Sequence, residues 1–265
     1  MELIVFLQVI ILGILEGITE FLPISSTAHL LISSKLLNFN KINGGLFETV
    51  IQLGAILALC FHYKDKIIYL IKNIFTEKEA QNYSFNIIIA FIPTVILGLL
   101  FYDLIKEHLF SIRNIAIMLI IGGIIIIIVE KINIKPKFNS INKISILRSL
   151  MIGFCQTIAF IPGTSRSGAT IIGSLLLKLD RKTAIEFSFM LAIPTIFSAS
   201  LLSLYKDLHH INNDNILLIL LGFITSFIIA KIVVKFLLKF IEVNGFLIFG
   251  YYRILIGFLI LLFIT

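Results

Sequence analysis

Charge is what this 265-residue chain has least of: only 14% of its residues are Asp, Glu, Lys or Arg, against about 25% in ordinary soluble domains. With 58% hydrophobic residues and a mean hydropathy of +1.06, the chain has no room for a large soluble domain. It reads as an integral membrane protein made mostly of spans. Cysteine is nearly missing. Cys60 and Cys155 lie far apart, each in apolar sequence, which excludes a disulfide framework and a cysteine metal site and leaves buried free thiols. No basic stretch precedes the first apolar run at Leu3, so no cleavable signal is expected and insertion through the chain's own spans is. Neither a GxxxxGK[ST] loop nor a GxGxxG turn is present, which removes support for nucleotide hydrolysis.

What is there is long apolar sequence. Crossing a bilayer takes roughly 17–25 apolar residues. Six segments reach that, at about 46–63, 86–104, 114–130, 186–205, 215–238 and 246–264. Two further regions are apolar but broken: 3–15 before a polar stretch that ends at Leu30, and 146–161 with 169–179 around a second one. Pro23 and the pair Pro162–Gly163 would interrupt a continuous helix there. Each region is therefore expected to form a re-entrant helical hairpin, a shape tolerated at membrane depth when it is buried in protein or lines a wet cavity.

The halves resemble each other. GILEGITEFLP from Gly13 compares with GFCQTIAFIP from Gly153, and AFIPTVILG from Ala90 with GFITSFIIA from Gly222. The expected fold is all-α: one membrane domain over 1–265, with repeat one at about 1–131 and repeat two at about 144–265. Each repeat would hold one hairpin and three spans, and the odd number of crossings inverts the second. Of the 22 Lys and Arg, 15 then fall on one side and five, including Lys41 and Lys106, on the other, with Arg166 and Arg253 inside membrane segments. The positive side is expected to be cytoplasmic, with both termini outside. The net charge of +7 is assigned to those loops and not to a nucleic-acid partner.

The two polar islands, EGITEFLPISSTAHL at 16–30 and PGTSRSGAT at 162–170, carry the chemistry. Ionisable groups at membrane depth are functional until shown otherwise. Glu16 and Glu20 are four apart and share a helix face; relief of two adjacent carboxylates takes a divalent cation, a proton or an arginine. Ser25, Ser26 and Thr27 follow Pro23 and can cap a helix running through His29. That helix start is an anion site. Ser26 and His29 are three apart, the spacing of a nucleophile and its base. In the second island Gly163 and Gly168 permit close backbone approach, and Thr164, Ser165 and Ser167 supply hydroxyls. Arg166 suits a phosphate, which its planar fork grips in two bonds; an empty site would hold it against Glu16 or Glu20. Elsewhere, Glu48 and Gln52 share a face and could line the cavity. Glu186 fits the membrane interface, Arg253 is expected to snorkel, and His209 and His210 read as solvated loop residues.

These motifs resemble the bacterial undecaprenyl-diphosphate phosphatase family, also called the bacitracin-resistance protein family. The resemblance covers nearly the whole chain and includes FETVIQLGAILA at 47–58 and EFSFMLAIP at 186–194. It implies six spans and two re-entrant hairpins in an inverted repeat. It also implies hydrolysis of undecaprenyl diphosphate to undecaprenyl phosphate and inorganic phosphate with Mg²⁺ or Ca²⁺. By motif position the acidic pair is Glu16 and Glu20, the hydroxyl cluster Ser25, Ser26 and Thr27, the histidine His29, and the second motif's serine and arginine are Ser165 and Arg166.

The expected catalytic set is thus Ser26, His29, Glu20 and Arg166. Glu16, Ser25, Thr27, Gly163, Thr164 and Ser165 are expected to bind substrate, and Glu16 and Glu20 to hold the cation. His29 as direct nucleophile, or as a base for water, stays open. The expected partners are a polyprenyl diphosphate lipid and the bilayer of a bacterial inner membrane, with the site facing outward; monomer and homodimer are both open. The alternative is a polyprenyl-lipid flippase or transporter on the same inverted-repeat fold. A phosphatidic-acid-phosphatase-type enzyme would need a basic first motif and a late His with a downstream Asp, a combination this sequence lacks.

Overall fold

The computed structural model describes residues 3–39, 42, 44–132, 134–207 and 215–264. Lys41, His209 and His210 lie outside them, as does the side chain of Lys106. Among the described residues the fold is all-helical, apart from an isolated bridge between Phe138 and Leu179. The chain runs through α1 (Leu3–Thr19), α2 (Ser26–Leu36), α3 (Gly44–His62), α4 (Lys64–Asn73), α5 (Lys78–Leu109) and α6 (Ile112–Ile132). It continues through α7 (Ile146–Thr157), α8 (Arg166–Leu176), α9 (Arg181–Asp207), α10 (Ile216–Asn244) and α11 (Leu247–Phe263).

Five of these, α3, α5, α6, α9 and α10, are long and apolar enough to cross a membrane. Three shorter helices are also apolar: α1, α7 with the 3-10 turn that extends it to Phe160, and α11. Helices are what such sequence must form, because a lipid-immersed backbone has to satisfy its own hydrogen bonds. Outward-facing Leu3, Leu99, Leu100, Phe258 and Leu262 leave an apolar surface suited to lipid tails. The protein is a multi-pass membrane protein.

Both broken apolar regions are interrupted around their prolines: α1 turns at 20–25 into α2, and α7 turns at 158–165 into α8. Around them α1 packs on α10, α7 on α5, α3 on both α9 and α10, and α6 on α11. Helix α4 was not anticipated. Its charges, Lys64, Asp65, Lys66 and Lys72, hide a short amphipathic helix that buries Leu70. Glu186 accepts from Tyr83 Oη at 2.8 Å and pairs with Lys66, so it serves as a packing anchor between α9, α4 and α5. Cys60 and Cys155 are free thiols, both partly buried.

Candidate active site

Each turn ends in a serine that holds a conformation L-residues avoid. Ser25 has φ 72° and ψ 93°, and Ser165 has φ 73° and ψ 114°. Non-glycine residues in such sparsely populated regions persist only when their surroundings hold them there, and they cluster at functional sites. Both serines sit immediately before a helix, so α2 and α8 each present the first-turn N–H groups and positive dipole end of a helix start. Gly163 precedes the second serine at φ +93°, with Ile115 O only 2.5 Å from where a Cβ would stand. Only glycine fits both the angle and the space.

The turns meet tip to tip. Arg166 Nη2 donates to Glu20 Oε1 at 3.0 Å and Nη1 to Ser188 O at 3.1 Å. Ser167 Oγ donates to Leu22 O at 2.8 Å. Ser26 Oγ donates to the other oxygen of Glu20, Oε2, at 2.5 Å. Beside this cluster lies a cavity of about 200 Å³, whose walls include Glu20, Ser25, Ser26, Thr27, Ser165 and Arg166. Gly163 lines it as well. One guanidinium donor, Arg166 Nε, is buried without an acceptor, and Thr164 Oγ1 is likewise unpartnered. An idle, buried N–H donor beside two helix starts is chemistry that can take an anion.

Three expected residues stand back from the cavity. Thr164 is one. Glu16 is another: it lies one helical turn before Glu20, is 0% exposed, and neither carboxylate oxygen has a partner. His29 is the third, and here the expected arrangement is not formed. His29 Nδ1 bonds Ser25 O at 2.8 Å and Nε2 bonds Tyr252 Oη at 2.7 Å. A carbonyl only accepts, so Nδ1 carries the proton, and in the neutral ring Nε2 accepts from the tyrosine hydroxyl. The ring also stacks on Tyr252, 5.7 Å between centroids and 5° from parallel. Both nitrogens are engaged away from Ser26, whose hydroxyl is held by Glu20 instead.

Sequence reasoning missed another part of the cavity wall. Pro93 and Pro194 sit inside α5 and α9, and the threonine after each, Thr94 and Thr195, lines the space. Gln156 Nε2 donates to both, at 2.6 and 3.1 Å. A signal was available, because Gln156 occupies the place of Glu16 when the sequence from Gly153 is compared with that from Gly13. Gln52 lines the cavity as expected, while Glu48 is not among its walls. Arg253 was misjudged. It does not snorkel; it is 1% exposed and bonded to five backbone carbonyls.

Among known proteins the sequence has many relatives. The family model described as bacitracin resistance protein BacA matches residues 9–259. The chain belongs to the bacitracin resistance protein BacA family. Among curated relatives, undecaprenyl-diphosphatase 3 of Acinetobacter baylyi is 48% identical over 96% of this chain and 96% of its own. The undecaprenyl-diphosphatase of Parvibaculum lavamentivorans is 47% identical over 98% and 97%. That of Dechloromonas aromatica is 45% identical over 98% and 95%. Both polar islands, the long prolyl helices and Arg253 all fall within the part of the chain that the BacA family model covers.

Proposed function

We propose that this protein hydrolyses undecaprenyl diphosphate to undecaprenyl phosphate and inorganic phosphate, recycling the lipid carrier of cell-wall synthesis and so conferring bacitracin resistance. Membership of the BacA family and the names of its relatives support the substrate. The observation that carries the chemistry is the convergence on one cavity of a carboxylate-bound serine hydroxyl, a guanidinium with an idle donor and two helix starts.

In this reading the diphosphate draws Arg166 from Glu20 and takes the N–H groups that begin α2 and α8. Ser26 Oγ attacks the terminal phosphorus while its proton passes to Glu20. The bond to the bridging oxygen breaks, and Glu20 returns the proton to the departing undecaprenyl phosphate. Water then attacks the phosphoserine, giving one proton to Glu20, which restores Ser26 as phosphate leaves. Phosphoryl transfer of this kind relies on positioning and charge neutralisation more than on covalent assistance. Glu20 is favoured over His29 as the base because Ser26 already donates to it. His29, between Ser25 O and Tyr252, would hold the strained serine in place.

The donor set fits a hard divalent cation. Glu16 is a buried carboxylate with two idle oxygens, one turn from a second carboxylate, and Mg²⁺ and Ca²⁺ take oxygen ligands. Glu16 and Glu20 would hold it, and water or substrate oxygens would complete the shell, since among the described residues no group of three His, Cys, Asp or Glu gathers. When bound, the cation supplies charge neutralisation for the diphosphate.

The surrounding fold we read as one membrane domain of six spans and two re-entrant hairpins in an inverted repeat. The likeness of α1 on α10 to α7 on α5, the twin strained serines and the twin Pro–Thr pairs support it. The 15-to-five division of basic residues supports a bacterial inner-membrane orientation with the first hairpin, and hence the site, entered from outside. The decisive experiment is phosphate release from undecaprenyl diphosphate by purified protein, with and without EDTA. Release is expected; lipid movement across vesicles with no phosphate released would instead favour the transporter reading. A phospho-enzyme trapped on His29 would overturn the serine version.

A further inference from the structure

Arg253 is a buried cation that pairs with no carboxylate among the described residues. A guanidinium has five N–H donors in a rigid plane, and here each of the five bonds found meets a backbone carbonyl. Nη1 donates to Pro23 O at 3.0 Å and Thr164 O at 2.9 Å. Nη2 donates to Gly163 O at 3.0 Å and Met118 O at 3.0 Å, and Nε to Leu119 O at 3.3 Å. These acceptors belong to three separate pieces of chain: the first turn, the second turn, and α6. Burying an ionised group costs several kcal/mol unless its surroundings repay it, and nothing in a span's own packing calls for this one.

We propose that Arg253 is a positioning residue that fixes the two hairpin tips in register, so that Ser26 and Glu20 on one tip face the phosphorus that Arg166 holds from the other. The inference rests on the phosphatase reading above. Its physical basis is the fork: one planar group bonds Pro23 O on the first tip and Gly163 O and Thr164 O on the second, and the bonds to α6 anchor that plane to the bundle. In a trans peptide the N–H points opposite to the C=O. Holding the Thr164 carbonyl therefore also sets the direction of the Ser165 N–H, on a residue that lines the cavity. The bridges Arg166–Glu20 and Ser167–Leu22 also join the tips, but the first must open when Arg166 takes phosphate. Arg253 then carries the register through the reaction.

The structure supplies an independent way to move this side chain without removing it. A Cβ at Gly122 would stand 2.1 Å from Arg253 Nη2 and 2.6 Å from Cζ, so Gly122→Ala displaces the guanidinium. Gly257 is a matched control on the same α6–α11 interface: its Cβ would meet Ile120 at 2.6 Å and Ala116 O at 2.8 Å, with no atom of Arg253 among its nearest neighbours. The experiment measures kcat and KM for phosphate release from undecaprenyl diphosphate by wild type, Arg253→Ala, Arg253→Lys, Gly122→Ala, Gly257→Ala and the Gly122→Ala/Arg253→Ala double variant. Misplacement by about 1 Å can cost about 100-fold in rate, so Arg253→Ala is expected to lose about 100-fold in kcat, with KM changed only a few-fold. Arg253→Lys keeps the charge but not the fork and should lose at least about tenfold. Gly122→Ala should do the same in the wild-type background and add nothing in the Arg253→Ala background, because sites that share a partner are not additive. Near-normal kcat in Arg253→Lys or Gly122→Ala, multiplying losses in the double variant, or an equal loss in Gly257→Ala would each overturn the proposal. If Arg253→Ala does not fold, Arg253→Lys, Gly122→Ala and Gly257→Ala still decide it. Absence of phosphate release in the wild type would instead sink the phosphatase reading.

Discussion

The two hairpin turns share a backbone and differ in chemistry. Ser25 and Ser165 adopt φ within a degree of each other, 72° and 73°, and each opens a helix of 11 residues. Yet the first turn is flanked by Glu16, Glu20 and His29, and the second by Gln156, Ala159 and Arg166. The comparison teaches that the strained turn is scaffold, in the sense that it builds a helix start at each tip, while the side chains around it differ between the two. A site made of two like halves would have two acids facing two acids, or two cations facing two cations. The asymmetry allows an ion pair when the site is empty and a cation facing phosphate when it is filled.

The sharpest way to break that division of labour is to remove the acid of the first turn. Glu20→Gln keeps the size but loses proton-accepting power and the charge that holds Arg166. A positioned general base supplies typically 10²–10⁴-fold, so phosphate release should fall by about three orders of magnitude, measured as kcat on the purified protein. Retention of more than about a tenth of the activity would remove Glu20 from the proton-transfer role. The opposite half is tested by Arg166→Ala, expected to lose on the order of 10²–10³-fold, comparable to loss of one preorganised donor at a developing charge. Arg166→Lys should recover part of that and not all of it, since an ammonium cannot reproduce the fork.

Next in size is the cation. Glu16→Gln converts a buried carboxylate with no partner into a neutral amide. If Glu16 helps hold the metal, the variant should need about ten times more Mg²⁺ or Ca²⁺ for half-maximal activity, on the scale of the 10–100-fold lost when ligand support is removed. In the presence of EDTA the same change should leave thermal stability at neutral pH nearly unchanged, because a carboxyl buried beside Glu20 with no cation takes up a proton and is already neutral. An unchanged cation requirement would assign Glu16 a proton instead.

Which parts of this site were legible in sequence follows from what kind of partner each residue has. The acids, hydroxyls and Arg166 stood out because polar side chains in apolar chain are few, and Pro23 and Pro162–Gly163 announce the turns through local steric rules. The partner of Ser26 was not legible. The three-residue spacing puts His29 near it on a helix, but His29 is turned away by Tyr252, 223 positions distant in sequence. Arg253 was illegible for a related reason: its five acceptors are main-chain carbonyls, which carry no residue identity to read. Helix α4 was hidden because four charges in ten residues look like a loop after a long apolar span. Thr94 and Thr195 looked like ordinary helix residues until the fold brought both to Gln156.

The smallest expected effect separates the two serines themselves. Ser165 Oγ caps its helix by accepting from Gly168 N at 3.1 Å, whereas Ser25 makes no side-chain cap. Ser165→Ala should therefore cost about 1 kcal/mol through the lost cap, and Ser25→Ala much less. Glycine removes the side-chain penalty of the positive φ at both places, a strain on the order of 1–3 kcal/mol. At Ser25 no cap is lost with it, so Ser25→Gly should stabilise the protein by up to about 1 kcal/mol. At Ser165 the relief and the lost cap oppose each other, so Ser165→Gly should leave stability nearly unchanged. Thermal unfolding in detergent, read as the difference between the two glycine variants, checks this. Equal shifts would mean that the two turns store strain and capping alike, and that their asymmetry is confined to the side chains lining the cavity.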